Sequence, residues 1–295
     1  MVDDTGVVRG HDLEITGAGG LALAATSWGP AEGDGVLFLH GFGQTRHAWD
    51  GVAERIAGCG WQVLAPDMRG HGDSPWADAY RLPDFIEDVR AAADWFASPP
   101  VVVGASFGGI LALFAHHERP LARALGLVDV VPHFDRQGGR RVQAFMAEHR
   151  EGFASLDEAA AAVDAFLPNR QRPDNVNGLL RNFVHDPGSG RYRWKWDPRF
   201  ASGVDWLADA PGDLDAVSAS VRDRMTVAAK ALSIPTLLVR GRLSNFVSEE
   251  AARAFLDLVP HAVYADVLGA GHMVAGDRND AFGAAVLDFL GGLSE

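Results

Sequence analysis

The chain of 295 residues reads as an α/β protein, a mostly parallel doubly wound sheet carrying one inserted helical segment. Three observations carry that reading. Short apolar runs rich in Val and Leu recur along the chain. Helix-length segments separate them. The alternation lapses once, over residues 133–230, where no run of the sheet type occurs.

Taken in order, "HDLEITG" and "GLALAATSW" read as a hairpin joined by a Gly-rich turn. "GVLFLHG", "WQVLAPD", "PPVVVGAS", "ALGLVDVVP", "IPTLLVRG" and "AVYADVLG" follow as strands. Continuous apolar runs of this length suit strands covered on both faces, as in a parallel sheet. "HAWDGVAERIAG" supplies the helix before the second of these strands. "PDFIEDVRAAADWFA" sets Phe85, Ile86, Val89, Ala93 and Phe96 at helical spacing. "FGGILALFAHHE" follows the third strand. "SEEAARAFLDLV" begins with Ser248 as a predicted N-cap and Glu249 and Glu250 in the first turn. "NDAFGAAVLDFLGG" closes the chain and ends in glycines. Within 133–230, "RRVQAFMAEHREGFASLDEAAAAVDAFLP" and "NVNGLLRNFVH" read as helices. "DPGSGRYRWKWDPRFASG" reads as a loop or short hairpin. The expected organisation is a core of 1–132 and 231–295 with a helical cap at 133–230.

Composition narrows the function classes. With 47% hydrophobic residues the chain can bury one sizeable core. A net charge of −13 argues against a general binder of nucleic acid or anionic membranes. Cys59 is the only cysteine, so an internal disulfide and a cysteine metal cluster are both excluded, and a buried or inert thiol is expected. The polar N-terminus lacks a signal-peptide pattern, and no apolar run approaches the roughly 20 residues of a membrane span. A soluble, cytoplasmic protein acting on a small molecule is the expectation. Nothing in the sequence sets an oligomeric state.

"VVVGASFGG" sets Ser106 within Gly104-x-Ser106-x-Gly108, directly after a strand and before a helix. In that context G-x-S-x-G is a nucleophile elbow, whose sharp turn presents the serine oxygen at the strand's carboxyl end. A serine hydroxyl needs a base. Of 11 histidines, His272 in "GAGHMV" follows the last strand, where open α/β sheets gather their sites. "FLHGFGQT" contributes a tight turn at Gly41, after which the Phe42 N–H can point at a developing oxyanion. The Phe107 N–H, at the helix start, is its natural partner.

At these residues the chain resembles the α/β-hydrolase-fold proteins, the group that includes esterases, lactonases, epoxide hydrolases and haloalkane dehalogenases. "HGFGQTRHAWD", "APDMRGHGDSPW", "GASFGGILAL" and "GAGHMVAGD" match its signature blocks in order and spacing. The resemblance covers about 1–132 and 231–295 and implies an α/β-hydrolase fold whose cap lies at 133–230. Serine in the nucleophile slot resembles the esterase-type branch, because the dehalogenases and epoxide hydrolases carry aspartate there. "DMRGHGDS" is a family loop that shapes the fold near the site, with no catalytic role assigned.

The family's acid usually follows the strand that is here "PTLLVRG". Asn245 stands in or next to that slot, and asparagine cannot supply negative charge opposite an imidazolium. Glu249 is near in sequence but is expected to face solvent from a first helical turn. Asp129, at the strand end in "GLVDVVP", is the preferred acid, since some family members carry theirs there and the order Ser106, Asp129, His272 fits the fold. Asn245 remains the alternative: a disabled acid slot, natural or introduced, in a protein that binds or rearranges rather than hydrolyses.

The inserted segment is rich in Phe145, Phe153, Phe166, Phe183, Trp194, Trp196 and Trp206. Phe145, Phe183, Trp194 and Trp196 are the expected substrate walls, which would suit an apolar or ring-containing molecule. For any one of them, gluing cap to core is the blander and preferred reading. Arg170, Arg172, Arg181, Arg191, Arg193 and Lys195 make the segment's middle basic, either a solvated face or an attraction for an anion. No dinucleotide fingerprint and no metal-ligand spacing is present, so no cofactor is expected. The expected activity is hydrolysis of an ester or lactone through an acyl-enzyme. Carbon–carbon cleavage, perhydrolysis, non-hydrolytic catalysis and ligand binding stand as alternatives.

Overall fold

A computed structural model describes residues 8–167, 176–202, 214–272 and 279–293. Trp206, Arg170, Arg172 and the tail of "GAGHMVAGD" lie outside them. The strands are β1 (His11–Thr16), β2 (Ala22–Trp28), β3 (Gly35–Leu39), β4 (Gln62–Pro66), β5 (Val101–Ala105), β6 (Ala124–Val128), β7 (Phe183–Asp186), β8 (Arg191–Trp194), β9 (Thr236–Gly241) and β10 (Val263–Val267). Eight of them form one sheet in the order β1-β2-β4-β3-β5-β6-β9-β10. β2 runs antiparallel to both of its neighbours, and every other pairing is parallel.

Helices α1 (Asp50–Gly58), α2 (Leu82–Asp94), α3 (Phe107–Glu118), α4 (Arg136–Glu148), α5 (Leu156–Phe166), α6 (Leu214–Lys230), α7 (Glu249–Leu258) and α8 (Asn279–Gly292) complete the described elements of that length. The alternation of β3 shows how they cover the sheet. Val36 and Phe38 join the apolar layer that includes α1 and α8 residues, while Leu37 and Leu39 join the layer of α2, α3 and α7. β3, β6 and β9 are buried along their whole length, as continuous apolar runs require when both faces are covered. Ser248 caps α7 by accepting the Ala251 N–H at 3.0 Å. Cys59 is not buried: it is exposed at the C-terminal end of α1.

Residues 133–230 hold α4, α5, a 3-10 turn (Val176–Arg181), the separate hairpin β7–β8, a second 3-10 turn (Pro198–Ser202) and α6. "NVNGLLRNFVH" is therefore not one helix. Its first part is the 3-10 turn, and "FVH" begins a strand pairing Phe183 with Trp194. The Gly-rich "DPGSG" closes that hairpin, and cross-strand aromatic packing outweighs a short helical pattern. α6 packs on α3 and α7, and its Val221, Met225, Ala228 and Ala229 enter the main core. The segment is stitched to the loop after β4: Gly72 N–H donates to Lys195 O (2.6 Å) and Asp197 N–H to Gly70 O (2.9 Å). Tyr80 Oη–H donates to the buried Asp197 Oδ2 (2.7 Å). Among the described residues no helix is long and apolar enough to cross a membrane.

Candidate active site

The parallel strands bring their carboxyl ends to one edge, so the loops after β3, β5, β6, β9 and β10 meet there. Ser106 occupies the turn between β5 and α3 with φ 47° and ψ −112°. This is a strained conformation for a residue with a Cβ. The neighbours explain how the turn persists. Ser106 N–H donates to Val128 O (3.0 Å), and Ile110 N–H donates to Ser106 O (3.1 Å). A Cβ on Gly104 would sit 2.5 Å from the backbone of Gly108 and Gly109, and one on Gly108 would strike the carbonyl oxygens of Leu39 and His40. Only glycine lets β5, α3 and the end of β3 approach this closely.

His272, after β10, meets Ser106 and Asp129 at once. Its Nε2 lies 3.2 Å from Ser106 Oγ, and its Nδ1 lies 2.6 Å from Asp129 Oδ2. A carboxylate at that distance accepts from Nδ1–H, which leaves the Nε2 lone pair facing the serine hydroxyl. The Asp129 side chain is fully buried and that of His272 14% exposed. Among the described residues Asp129 is the other non-glycine residue with positive φ (50°), pinned by its N–H donating to Val239 O at 2.7 Å. Its carboxylate also accepts from Gly241 N–H (3.2 Å, Oδ1) and Ser244 Oγ–H (2.6 Å, Oδ2).

The loop after β9 thus meets Asp129 through Ser244. Asn245 is exposed and is not a partner of the His272 ring among the described residues. Glu249 is likewise exposed and pairs with Arg253. Sequence reasoning overlooked two residues of this loop. Ser244 is one. The other is Phe246, whose ring stacks on His272 with centroids 4.2 Å apart and planes 25° apart. Phe134 stacks in turn on Phe246 at 5.1 Å. A short polar residue beside a vacant acid slot was the only available signal for Ser244.

On the other side of Ser106, Gly41 N–H donates to Gln44 Oε1 (2.7 Å) and fixes the turn after β3. Phe42 packs edge-on against Phe107 (5.8 Å), Phe200 (5.1 Å) and His71 (5.4 Å). Met146 of α4 lies above this turn, near Gly43. Beneath it are two fully buried histidines. His40 Nδ1–H donates to Gly41 O (2.8 Å), and its Nε2 accepts the Met68 N–H (2.9 Å). Burial lowers its pKa against the pull of Asp67. His71 is pushed down to about 3 by burial and then by the neighbouring His40. Arg46 spans Asp67 and Asp73 behind the same turn, and Lys195 reaches Asp73 at 2.6 Å.

The expected substrate walls divide. Trp196 (3% exposed) and Phe183 (2%) are buried and serve packing. Trp194 and Phe145 are partly exposed, 5.9 Å apart, and belong to an aromatic cluster with Phe153 and Phe166. In the segment's basic middle, Arg181 pairs with Asp50, Arg191 donates to the carbonyls of Glu151 and Gly152, Arg193 pairs with Asp186, and Lys195 with Asp73. Among the described residues no group of three or more His, Cys, Asp or Glu is arranged to hold a metal ion.

Comparison with known proteins identifies the scaffold that carries these residues. A family model described as the alpha/beta hydrolase fold matches residues 35–278. Esterase Rv0045c of Mycobacterium tuberculosis is 31% identical over 241 residues, covering 78% of this chain and 72% of that protein. The magnesium-chelatase 30 kDa subunit of Rhodobacter capsulatus is 26% identical over 271 residues, covering 90% and 89%. The crystal structure of E-2-(acetamidomethylene)succinate hydrolase superposes with a TM-score of 0.79, covering 96% of this chain and 99% of that one. At 19% identity that likeness speaks to the fold alone.

Proposed function

The chain belongs to the α/β hydrolase fold family, and from that premise we propose that it is a serine hydrolase of carboxylic esters or lactones. The observation that carries this reading is the continuous path Ser106 Oγ, His272 Nε2, His272 Nδ1, Asp129 Oδ2, with contacts of 3.2 and 2.6 Å. In the proposed reaction Ser106 Oγ attacks the ester carbonyl while His272 Nε2 takes its proton. The N–H groups of Phe42 and Phe107 hold the oxyanion. The imidazolium returns the proton to the departing alkoxide, leaving an acyl-serine. Water, deprotonated by the same nitrogen, then releases the acid and restores the serine. Asp129 keeps Nδ1 protonated and opposes the charge on the ring.

The half-buried Phe42, packed edge-on against Phe107 next to Ser106, favours a small to medium, largely apolar acyl or alcohol portion. Esterase Rv0045c supports ester hydrolysis as the chemistry. A magnesium-chelatase subunit among the relatives keeps a second reading in play, a ligand-binding or non-hydrolytic protein on the same scaffold.

A fluorophosphonate probe separates the two. The expected result is stoichiometric labelling of Ser106, lost in Ser106→Ala together with hydrolysis of p-nitrophenyl esters. Product mass spectrometry should find one added water per turnover. An unlabelled wild-type protein, or a Ser106→Ala variant that hydrolyses as fast as its parent, would overturn the proposal.

A further inference from the structure

We propose that Ser244 is a positioning residue that clamps the Asp129 carboxylate and, through it, the His272 tautomer. The proposal rests on the proposed function above for its kinetic arm only. The loop after β9 provides no carboxylate, yet it touches the acid on the adjoining strand. Ser244 Oγ donates to Asp129 Oδ2 at 2.6 Å, onto the same oxygen that accepts from His272 Nδ1. That hydroxyl itself accepts from two backbone donors, Phe246 N–H at 3.0 Å and Val247 N–H at 3.1 Å. With both acceptor positions filled, its single hydrogen has one destination, the carboxylate. Two N–H dipoles aligned behind an O–H strengthen its donation.

The clamp answers a need visible at Asp129. The residue sits at φ 50°, costly for a side chain with a Cβ, and its carboxylate is wholly buried. A buried anion is tolerable when its lone pairs are satisfied. Gly241 N–H serves Oδ1, and Ser244 and His272 serve Oδ2. Without the hydroxyl, Oδ2 loses the donor that fixes its direction, and the carboxylate can rotate off Nδ1. The imidazole is then released to its other neutral tautomer, with the proton on Nε2 and no lone pair facing Ser106. The same turn sets Phe246 against the ring, so one loop holds both partners.

The test uses the full chain and the variants Ser244→Ala, Ser244→Thr and Asn245→Ala. Long-range 1H–15N spectra at about pH 8, where an ordinary imidazole is neutral, read the His272 tautomer whether or not the protein is an enzyme. The Nδ1-protonated form should dominate in wild type and lose population in Ser244→Ala. Turnover of a p-nitrophenyl ester should fall about tenfold at unchanged KM, the scale of one hydrogen bond to a charged acceptor. Ser244→Thr should restore both readings, and Asn245→Ala should move neither. A folded Ser244→Ala protein with wild-type tautomer and turnover would overturn the proposal. So would failure of threonine to restore either reading, since side-chain shape and not the hydroxyl would then be at issue. If Ser244→Ala does not fold, Ser244→Cys, a weaker donor of similar shape, carries the same readings. A wild type that takes no fluorophosphonate and hydrolyses nothing would sink the proposed function, while the spectra still decide on Ser244.

Discussion

At the scale of single residues, Asp129 and Asn245 make opposite predictions. Asp129 is buried, held at an uncommon backbone angle, and bonded to Nδ1 of His272 at 2.6 Å. Asparagine there would present either an amide hydrogen or a neutral oxygen to the ring, so Asp129→Asn should lower kcat by roughly 10³–10⁴. Asn245→Asp adds a charge at an exposed site away from the ring and should leave kcat within about twofold, since exposed charges are well screened. Parallel kinetics on the two variants decide the matter; a large gain from Asn245→Asp would mean that the loop after β9 carries the acid. The proximity of Ser106, His272 and Asp129 was legible because a strand-end position is a topological property, readable once the strands are ordered. The roles of Ser244 and Phe246 were not, because whether a loop residue faces inward depends on local turn geometry. The half-buried Ser244 and the exposed Asn245 are adjacent in the chain, and no periodicity distinguishes them.

Among the elements, the turn from β5 to α3 concentrates the backbone constraints. Gly108 lies against the carbonyls of Leu39 and His40, and neither can retreat without breaking the end of β3. Gly108→Ala should therefore destabilise by about 3 kcal/mol or more, the scale of overpacking against rigid neighbours. Gly139 in α4 is the contrasting site, since a Cβ there would meet nothing within 4 Å. Gly139→Ala should stabilise by about 0.5–1 kcal/mol through helix propensity and a less free unfolded chain. Urea midpoints of the two variants should move in opposite directions, and a common direction would contradict the packing argument. The core strands were readable for the same reason these glycines matter: both faces are covered, so the apolar runs are unbroken. The inserted segment was less legible. "FVH" looks helical beside "NVNGLLR", but its partner strand Arg191–Trp194 pulls it into a hairpin, a long-range pairing invisible to a local pattern. α6 went unnoticed because its described core residues, Val221, Met225, Ala228 and Ala229, are interleaved with charged and polar ones such as Arg222, Asp223 and Arg224.

For the molecule as a whole, the buried histidines tie stability to pH. His40 and His71 are fully buried 5.2 Å apart, beneath the turn that carries Phe42. Both are held neutral, and His71 is pushed down to about 3. In the unfolded chain each returns to an ordinary value near 6.5. Between those limits the unfolded state binds a proton that the native state refuses, so stability falls as pH falls. For His71 alone, moving from pH 7 to pH 5 should cost about 2 kcal/mol, with His40 adding in the same sense. The carboxylates act in another window. Asp73, lowered by Lys195 and Arg46 against the opposing effect of burial, contributes stability that is lost only as pH drops below its ordinary value of 3.8. Asp88, raised by burial, runs the opposite way and in a higher range, adding stability as pH falls through its raised value toward 3.8. Relief of repulsion from the net charge of −13 also opposes the histidine effect on acidification, but it is spread over the surface and muted by about 0.15 M salt. Urea unfolding in that salt should therefore show a clearly lower midpoint at pH 5 than at pH 7. His71→Phe keeps an aromatic ring against Phe42 and Phe200 but cannot titrate, and should remove about 2 kcal/mol of the difference. Equal wild-type midpoints at the two pH values would show that these histidines are not held neutral in the folded protein.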